Sequence, residues 1–429
     1  MSLKIKLNKI CIIGLGYVGI PLAISFAKKN FEVCGFDIDK KKIIDLKNGI
    51  DKTNEAKKYG LSYLKKIFFT SKPSDLINSN IYIVTVPTPV DKKNNPDLKL
   101  LKKACQTVGK KLKAKDLVIF ESTVYPRTTE DVCIPILKRY SKLNYWNSDI
   151  NLKSKNYFTC GYSPERINPG DSKYNLTNIT KVVSGSNKKT LRKVKQLYSQ
   201  ICNKIFQAKS IQIAESAKII ENTQRDINIA LINEFQKIFN LMGINIYDVL
   251  KAARTKWNFL KFQPGFVGGH CIGVDPYYLA YCSKKIGYNP KLILSGRRLN
   301  NNVVKDFYIK IKNTLNNLNK KKILFLGASF KENCNDIRNS KIIELAENLN
   351  KNFDLHLYDK LVSYNILQNN TSCKVITKLE NKKYDAVIIA NKHSYIKKLG
   401  IKKIENKLKD KNGVIFDLKN MFNLYEKIL

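Results

Sequence analysis

Only three histidines occur in 429 residues, and none of the ten cysteines forms a Cys-x-x-Cys pair. That leaves no clustered ligand set, so a metal site is not expected. No apolar run approaches ~20 residues, which excludes a membrane-spanning helix. The opening Met1-Ser2-Leu3-Lys4-Ile5-Lys6-Leu7 has no apolar signal core, so a cytoplasmic protein is expected. Arginine is scarce too: nine of the 77 basic residues, the rest lysines spread along the whole length beside much asparagine and isoleucine. The net charge of +42 therefore reads as a codon bias giving a solvated lysine surface, not a nucleic-acid groove. Such a field still attracts anionic substrates. Cys11, Cys34 and Cys160 lie in apolar, strand-like runs, where a buried reduced thiol is the plain expectation.

The chain is long enough for two or three cores. From 1 to 207, short apolar runs (9–13, 31–36, 81–86, 117–120, 157–160, 181–184) alternate with helical patterns. This predicts a mainly parallel sheet covered on both faces. Residues 208–312 contain a stretch without Gly or Pro from Ile213 to Met242. Ile220, Ile227, Leu231, Phe235 and Ile238 recur there at three- and four-residue spacing. A connecting helix of ~30 residues, near 45 Å, follows. From 313 to 429 the strand–helix alternation returns, with runs at 322–327, 355–358, 386–390 and 414–416. The expected class is α/β: two doubly wound Rossmann-like domains joined by a helical central domain with a long connecting helix.

The first run leads into Gly14-Leu15-Gly16-Tyr17-Val18-Gly19 and a helix over 21–28. Gly14 permits the turn, Gly16 lets the backbone approach a pyrophosphate, and Gly19 allows close helix–strand packing. The helix N-terminus then faces the phosphates. The next run ends at Asp37, roughly 20 residues on, where a carboxylate can bind adenosine ribose hydroxyls and disfavour a 2′-phosphate. Lys42 is close enough in sequence to reach the same cofactor. Two loops at later strand ends, Val86-Pro87-Thr88-Pro89 and Glu121-Ser122-Thr123-Val124-Tyr125-Pro126, should face the same crevice. Their hydroxyls and amides suit ribose, phosphate or a water; each is equally readable as a plain turn.

Cys271, in Gly268-Gly269-His270-Cys271-Ile272-Gly273-Val274-Asp275, is the candidate nucleophile. The glycine pair clears space for close approach, and Asp275 is suited to proton transfer. A buried inert thiol is the alternative. On the long helix Lys218, Asn222 and Arg225 share a face; Lys218 and Asn222 can stabilise an alkoxide, although charged helix faces are usually just solvated. Glu165, just after another strand, can order a water, or form a surface ion pair of little worth. A cofactor that removes hydride and a thiol that retains an aldehyde together suggest oxidation of an alcohol to an acid. The rivals are a one-step alcohol dehydrogenase and a basic nucleic-acid-binding protein.

With these motifs in order, the chain resembles the nucleotide-sugar 6-dehydrogenases, the UDP-glucose/GDP-mannose dehydrogenase family. The elements are 14–21, 86–89, 121–126, 163–170, 218–222, 259–278 and 330–340. Ser163-Pro164-Glu165-Arg166-Ile167-Asn168-Pro169-Gly170-Asp171 and the Cys271 segment resemble the branch acting on UDP-N-acetylglucosamine or UDP-N-acetylgalactosamine. The resemblance implies an NAD domain (1–207), a central dimerisation and substrate domain (208–312) and a C-terminal UDP-sugar domain (313–429). It further implies a homodimer and a two-step, four-electron oxidation at sugar C6, supplying a uronic acid for surface polysaccharide. Carried over by position, Cys271 attacks the C6 aldehyde, giving a thiohemiacetal and then a thioester. Lys218 and Asn222 stabilise oxyanions, Asp275 and Thr123 position water or move protons, and Glu165 serves thioester hydrolysis. Gly14, Gly16, Tyr17, Val18, Gly19, Asp37, Lys42, Pro87, Thr88, Glu121, Thr123 and Arg338 are implied for NAD. Glu165, Lys218, Asn222, Phe259, Gly268 and Lys331 are implied for substrate, with Arg254 reaching the substrate of the neighbouring subunit. The UDP-glucose branch commonly carries lysine where Val274 stands, and amino-sugar enzymes often carry arginine where Gln263 stands.

Overall fold

A computed structural model describes residues 9–147, 155–167, 175–269, 271–317, 321–410 and 412–424; residues 1–8, 168–171 and His270 lie outside it. The described residues form two compact units. One runs to Glu221 and includes Tyr277–Gly287; the other comprises Asn222–Pro276 and the chain from Tyr288 on.

In the first unit the apolar runs become β1 (Lys9–Ile13), β2 (Glu32–Phe36), β3 (Ile67–Thr70), β4 (Ile81–Val84), β5 (Leu117–Phe120), β6 (Asn144–Tyr145), β7 (Tyr157–Tyr162), β8 (Thr180–Gly185) and β9 (Lys204–Gln207). Their order is β3-β2-β1-β4-β5-β7-β8-β9, with β6 beside β7. All pairs are parallel except β7–β8. β4 and β5 are buried at every position, as strands covered on both faces must be. The strand order reverses between β1 and β4, the place where such sheets bind ligands. The helix after β1 spans Gly19–Lys28, two residues longer at its start than expected.

The second unit carries β10 (Lys322–Leu326), β11 (Asp354–Tyr358), β12 (Lys374–Val375), β13 (Ala386–Ile389) and β14 (Val414–Asp417), all parallel, in the order β12-β11-β10-β13-β14. This repeats the order β3-β2-β1-β4-β5, and the repetition extends to single hydrogen bonds. Gly14 (φ +98°) donates to Phe36 O at 2.8 Å, and Leu15 N to Asp37 Oδ2 at 2.9 Å. Gly327 (φ +96°) donates to Tyr358 O at 2.9 Å, and Ala328 N to Asp359 Oδ2 at 2.8 Å. The two turns then diverge. A Cβ on Gly16 would meet nothing within 4 Å, whereas the second turn is filled: Asn391 and His393 lie 3.0 and 3.3 Å from the Cβ position of Gly327.

The long helix spans Ile211–Leu241. Its apolar stripe behaves unexpectedly. Ile220, Leu231 and Ile238 are 56%, 44% and 46% exposed, while Lys218, Thr223, Asp226 and Asn233 are buried. Beside the buried Ala214, Ile219, Ala230 and Ile232, the inward face carries these polar groups, for several of which the helix Lys291–Asn317 supplies partners. Arg297 Nη1 donates to Asp226 Oδ1 at 2.6 Å, Asn300 Nδ2 to the same oxygen at 2.7 Å, and Asn233 Nδ2 to Asn300 Oδ1 at 2.9 Å. Buried polar groups paired in this way favour one helix register over others. Nearer the start of the long helix, the buried Glu215 accepts from Arg127 N (2.6 Å) and Thr129 N (2.9 Å). Burial pushes its carboxyl up to about 7, against those bonds. No helix among the described residues is long and apolar enough to cross a membrane.

Candidate functional site

At the carboxyl edge of the first sheet, the Gly14–Gly19 turn is shaped by contacts that only glycine tolerates. A Cβ on Gly19 would lie 1.9 Å from Gly14 O, so the helix starts directly against the turn. Gly16, Tyr17 and Val18 are half-buried at the turn's rim. Asp37 is almost fully buried and already oriented. Its Oδ2 accepts from Leu15 N and, at 2.7 Å, from Lys42 Nζ, while Oδ1 accepts from Asp39 N at 3.0 Å. Lys42 thus sits on the acid. Beside Asp37, Ile38 is 74% exposed and offers an apolar face that the sequence did not single out.

The two loops expected at this edge are bonded together. Thr88 Oγ1 donates to Thr123 O at 2.5 Å, and Ser122 Oγ to Val86 O at 2.6 Å. Pro87 lies between the bonded residues, and Tyr278 OH donates to Thr88 O. Glu121, expected on one of these loops, has its side chain buried. Its carboxylate is turned inward, held by Lys181 Nζ at 2.6 Å and by Tyr198 OH. Only its main chain remains for a cofactor. Glu165 and Arg166 do not pair with each other. Glu165 Oε1 accepts from Ile167 N at 2.5 Å and its Oε2 lies 3.9 Å from Lys181 Nζ, while Arg166 pairs with Glu221 at 2.9 Å. Lys181 was missed from sequence. Its signal was there: a charge within an apolar strand run. Lys218, also of this unit, is buried on the long helix.

The second unit holds the thiol. Cys271 is half-buried, and its carbonyl accepts from Val274 N (3.0 Å) and Asp275 N (2.8 Å), which starts the helix Asp275–Lys285 one turn later. Asp275 is buried, and Asn222 Nδ2 donates to its Oδ2 at 2.5 Å. The nucleophile candidate, a buried acid and an amide donor are therefore gathered around one turn. The glycine pair before Cys271 serves a different neighbour than expected. A Cβ on Gly268 would lie 2.7 Å from Asn339 O, and one on Gly269 (φ +78°) 2.9 Å from the Phe330 ring. What approaches closely there is the protein itself. Asn339 also bonds the main chain of Gly269 from both sides, at 3.3 Å each.

Lys331, next to Phe330, is half-buried. Arg338 is braced on the buried Asp336 through Nε (3.0 Å) and Nη2 (2.5 Å). Arg254 donates from Nη2 to Phe262 O at 2.8 Å, and Phe259 packs with Phe262 against Ile232, Ile246 and Leu250. No group of three or more His, Cys, Asp or Glu capable of holding a metal occurs among the described residues.

Comparison with known proteins accounts for this arrangement. Three consecutive segments match models of one family: the NAD binding domain of the UDP-glucose/GDP-mannose dehydrogenases over residues 8–202, their central domain over 212–302 and their UDP binding domain over 324–424. The chain is 46% identical over 418 residues to the UDP-N-acetyl-D-glucosamine 6-dehydrogenase of Salmonella typhi, covering 96% of each chain. Identity to the enzyme of that name from Pseudomonas aeruginosa is 44% over 421 residues, 97% of each. Among solved structures, the UDP-D-ManNAc dehydrogenase of Pyrococcus horikoshii superposes with a TM-score of 0.82 at 28% identity, over 96% of each chain. The dinucleotide turn, the thiol loop and the repeated second sheet thus belong together: this chain is a member of the UDP-glucose/GDP-mannose dehydrogenase family, a group of NAD-dependent dehydrogenases.

Proposed function

We propose that the protein oxidises the C6 hydroxyl of a UDP-N-acetylhexosamine, UDP-GlcNAc or UDP-GalNAc, to the carboxylate, as a step toward surface polysaccharide. The observation that carries this reading is the half-buried Cys271 beside the Asn222–Asp275 bond, in a chain whose first sheet bears a dinucleotide turn. NAD, when bound at the first sheet, would supply the acceptor for one hydride in each of two oxidations. Asp37 holds the adenosine ribose, the open backbone at Gly16 admits the pyrophosphate, and Pro87, Thr88, Thr123 and the main chain of Glu121 border the nicotinamide end. Lys218 and Asn222 stabilise negative charge on the C6 oxygen as its proton leaves. The Cys271 sulfur then adds to the aldehyde, giving a thiohemiacetal whose oxidation leaves a thioester. Water adds to the thioester, the thiolate departs, and the acid is released. Thr123 and Asp275 move protons, and Glu165 orders the water.

In this reading residues 1–207, 208–312 and 313–429 divide the work of cofactor, central and UDP-sugar domains. Lys331, Phe259 and Gly268 face the substrate, and Arg338 the cofactor. The enzyme is a cytoplasmic homodimer in which Arg254 reaches the partner's substrate. The exposed Ile220, Leu231 and Ile238, together with Leu241 (90%) and Trp257 (92%), support a covered face on the central helices.

The test is NADH formation against a panel of UDP-sugars, with product mass. About two NADH per sugar are expected, with little free aldehyde. One NADH with accumulating aldehyde would rule out the covalent route. The cofactor assignment has its own check. Asp37→Ala should raise the KM for NAD more than it lowers kcat at saturation, and should favour NADP by releasing Lys42. Equal rates with NADP in the unmodified enzyme would remove Asp37 from the ribose.

A further inference from the structure

The loop over residues 121–129 is tied down at both ends. Near its start Thr123 O accepts from Thr88 Oγ1 at 2.5 Å. Near its end Arg127 stands at φ +73°, a left-handed conformation that a side chain of this size adopts only at a cost. What holds it there is a carboxylate from another element. Glu215, fully buried on the long helix, accepts from Arg127 N at 2.6 Å through Oε2 and from Thr129 N at 2.9 Å through Oε1. Thr128 does not cap the helical segment that begins at Thr129, since its Oγ1 donates back to Tyr125 O at 2.6 Å. A local side chain would have sufficed for capping alone. The acid that does the work lies 86 and 88 residues from its two donors.

The place of Glu215 on its own helix is the second observation. Lys218 lies three residues on, about one helical turn away, and is buried too. An acid at that spacing ordinarily pairs with the lysine. Here both carboxylate oxygens are taken by main-chain N–H groups, and Lys218 forms no ion pair among the described residues. The arrangement is costly to maintain. Burial pushes the Glu215 carboxyl up to about 7, the bonds from Thr129 and Arg127 pull against it, and Glu130 adds to the push.

We infer that Glu215 is a positioning residue, which ties the Thr123 loop to the helix turn bearing Lys218 and so sets where Thr123 stands when the C6 proton leaves. Loop and helix turn both belong to the first unit. The inference rests on the role given to Thr123 in the reading above. Without the carboxylate, Arg127 is released from its left-handed conformation, and the main chain just after Thr123 relaxes with it.

The experiment is a double-substitution cycle on the full enzyme. Its readout is the rate of the first NADH formed in a single turnover with UDP-N-acetylglucosamine, or with the UDP-sugar that the panel selects. NAD affinity and Tm are measured beside it. Glu215→Gln keeps the volume but turns an amide N–H2 toward one of the two main-chain N–H groups, so one bond is lost. The first hydride transfer should slow about ten- to a hundredfold, the scale on which small misplacements act. NAD affinity should hold, because Asp37 and the glycine turn are untouched. Thr123→Ala alone should slow the same step. With Thr123→Ala in place, Glu215→Gln should cost less than about twofold more, because the group it positions is gone. A merely structural carboxylate lowers Tm and costs the same in either background. Equal losses in the two backgrounds, or a full rate from Glu215→Gln, would overturn the inference and leave the proposed function standing. If the Gln variant does not fold, Glu215→Asp, which keeps the charge but falls one methylene short, decides through the same cycle. A full rate from Thr123→Ala would instead remove Thr123 from the reading above, and this inference with it.

Discussion

Replacing Cys271 by serine is expected to cut carboxylate formation by ~10³-fold or more, the scale on which nucleophile deletions act. A hydroxyl is ionised far less readily than a thiol at neutral pH, so the aldehyde is no longer captured. The count should fall from about two NADH per sugar to at most one, with aldehyde or its hydrate released. Folding should be little affected. Serine is slightly smaller, and the bonds that shape the loop are main-chain ones from Val274 N and Asp275 N to the carbonyl of residue 271. NAD affinity should also hold, because the Gly14–Gly19 turn and Asp37 belong to the other unit. Full acid yield with two NADH from the serine variant would remove Cys271 from the chemistry.

The second large effect concerns the sugar. UDP-N-acetylglucosamine or its C4 epimer is expected to be oxidised ~10–200-fold faster than UDP-glucose in kcat/KM, the range set by one contact of ~1–3 kcal/mol. Val274 is buried on the same turn as the thiol, its N–H donating to Cys271 O at 3.0 Å. A lysine would bring a charge suited to hydroxyls. Valine leaves that turn uncharged and apolar, compatible with an acetamido methyl. The three substrates should be compared at one ionic strength, since a chain of net charge +42 attracts every UDP-sugar more strongly at low salt. A clear preference for UDP-glucose would overturn the amino-sugar assignment and leave the reaction class standing.

The inner strands of both sheets were legible because parallel strands covered on both faces read as continuous apolar runs, as in Ile81–Val84. β3 (Ile67–Thr70) and β9 (Lys204–Gln207) were not: each has four residues at an edge of the sheet order, and β9 has no buried position. The glycine turn and Asp37 were legible because their demands are local. The long helix was legible in length but not in orientation. Periodicity marked Ile220 and Leu231, yet the buried face carries Asp226 and Asn233, whose partners Arg297 and Asn300 lie about 70 residues away. Glu121 shows the same limit. Its position at a strand end could be read, but not the lysine 60 residues on that turns it inward. The need for glycine before Cys271 was plain; that Phe330 and Asn339 impose it was not.

That clasp between the thiol loop and Phe330 has a mechanical corollary. Phe330 precedes Lys331 and stands in the segment matched by the family's UDP binding domain. If Lys331 grips the uridine diphosphate as proposed, that grip and the placement of the sulfur are linked through Gly269, where any Cβ would come within 2.9 Å of the Phe330 ring. In that reading, binding energy gathered at the unreactive end of the substrate would serve alignment at C6, the circumstance in which remote contacts raise turnover as well as affinity. A free hexosamine would then meet a Cys271 that no diphosphate contact has helped to place.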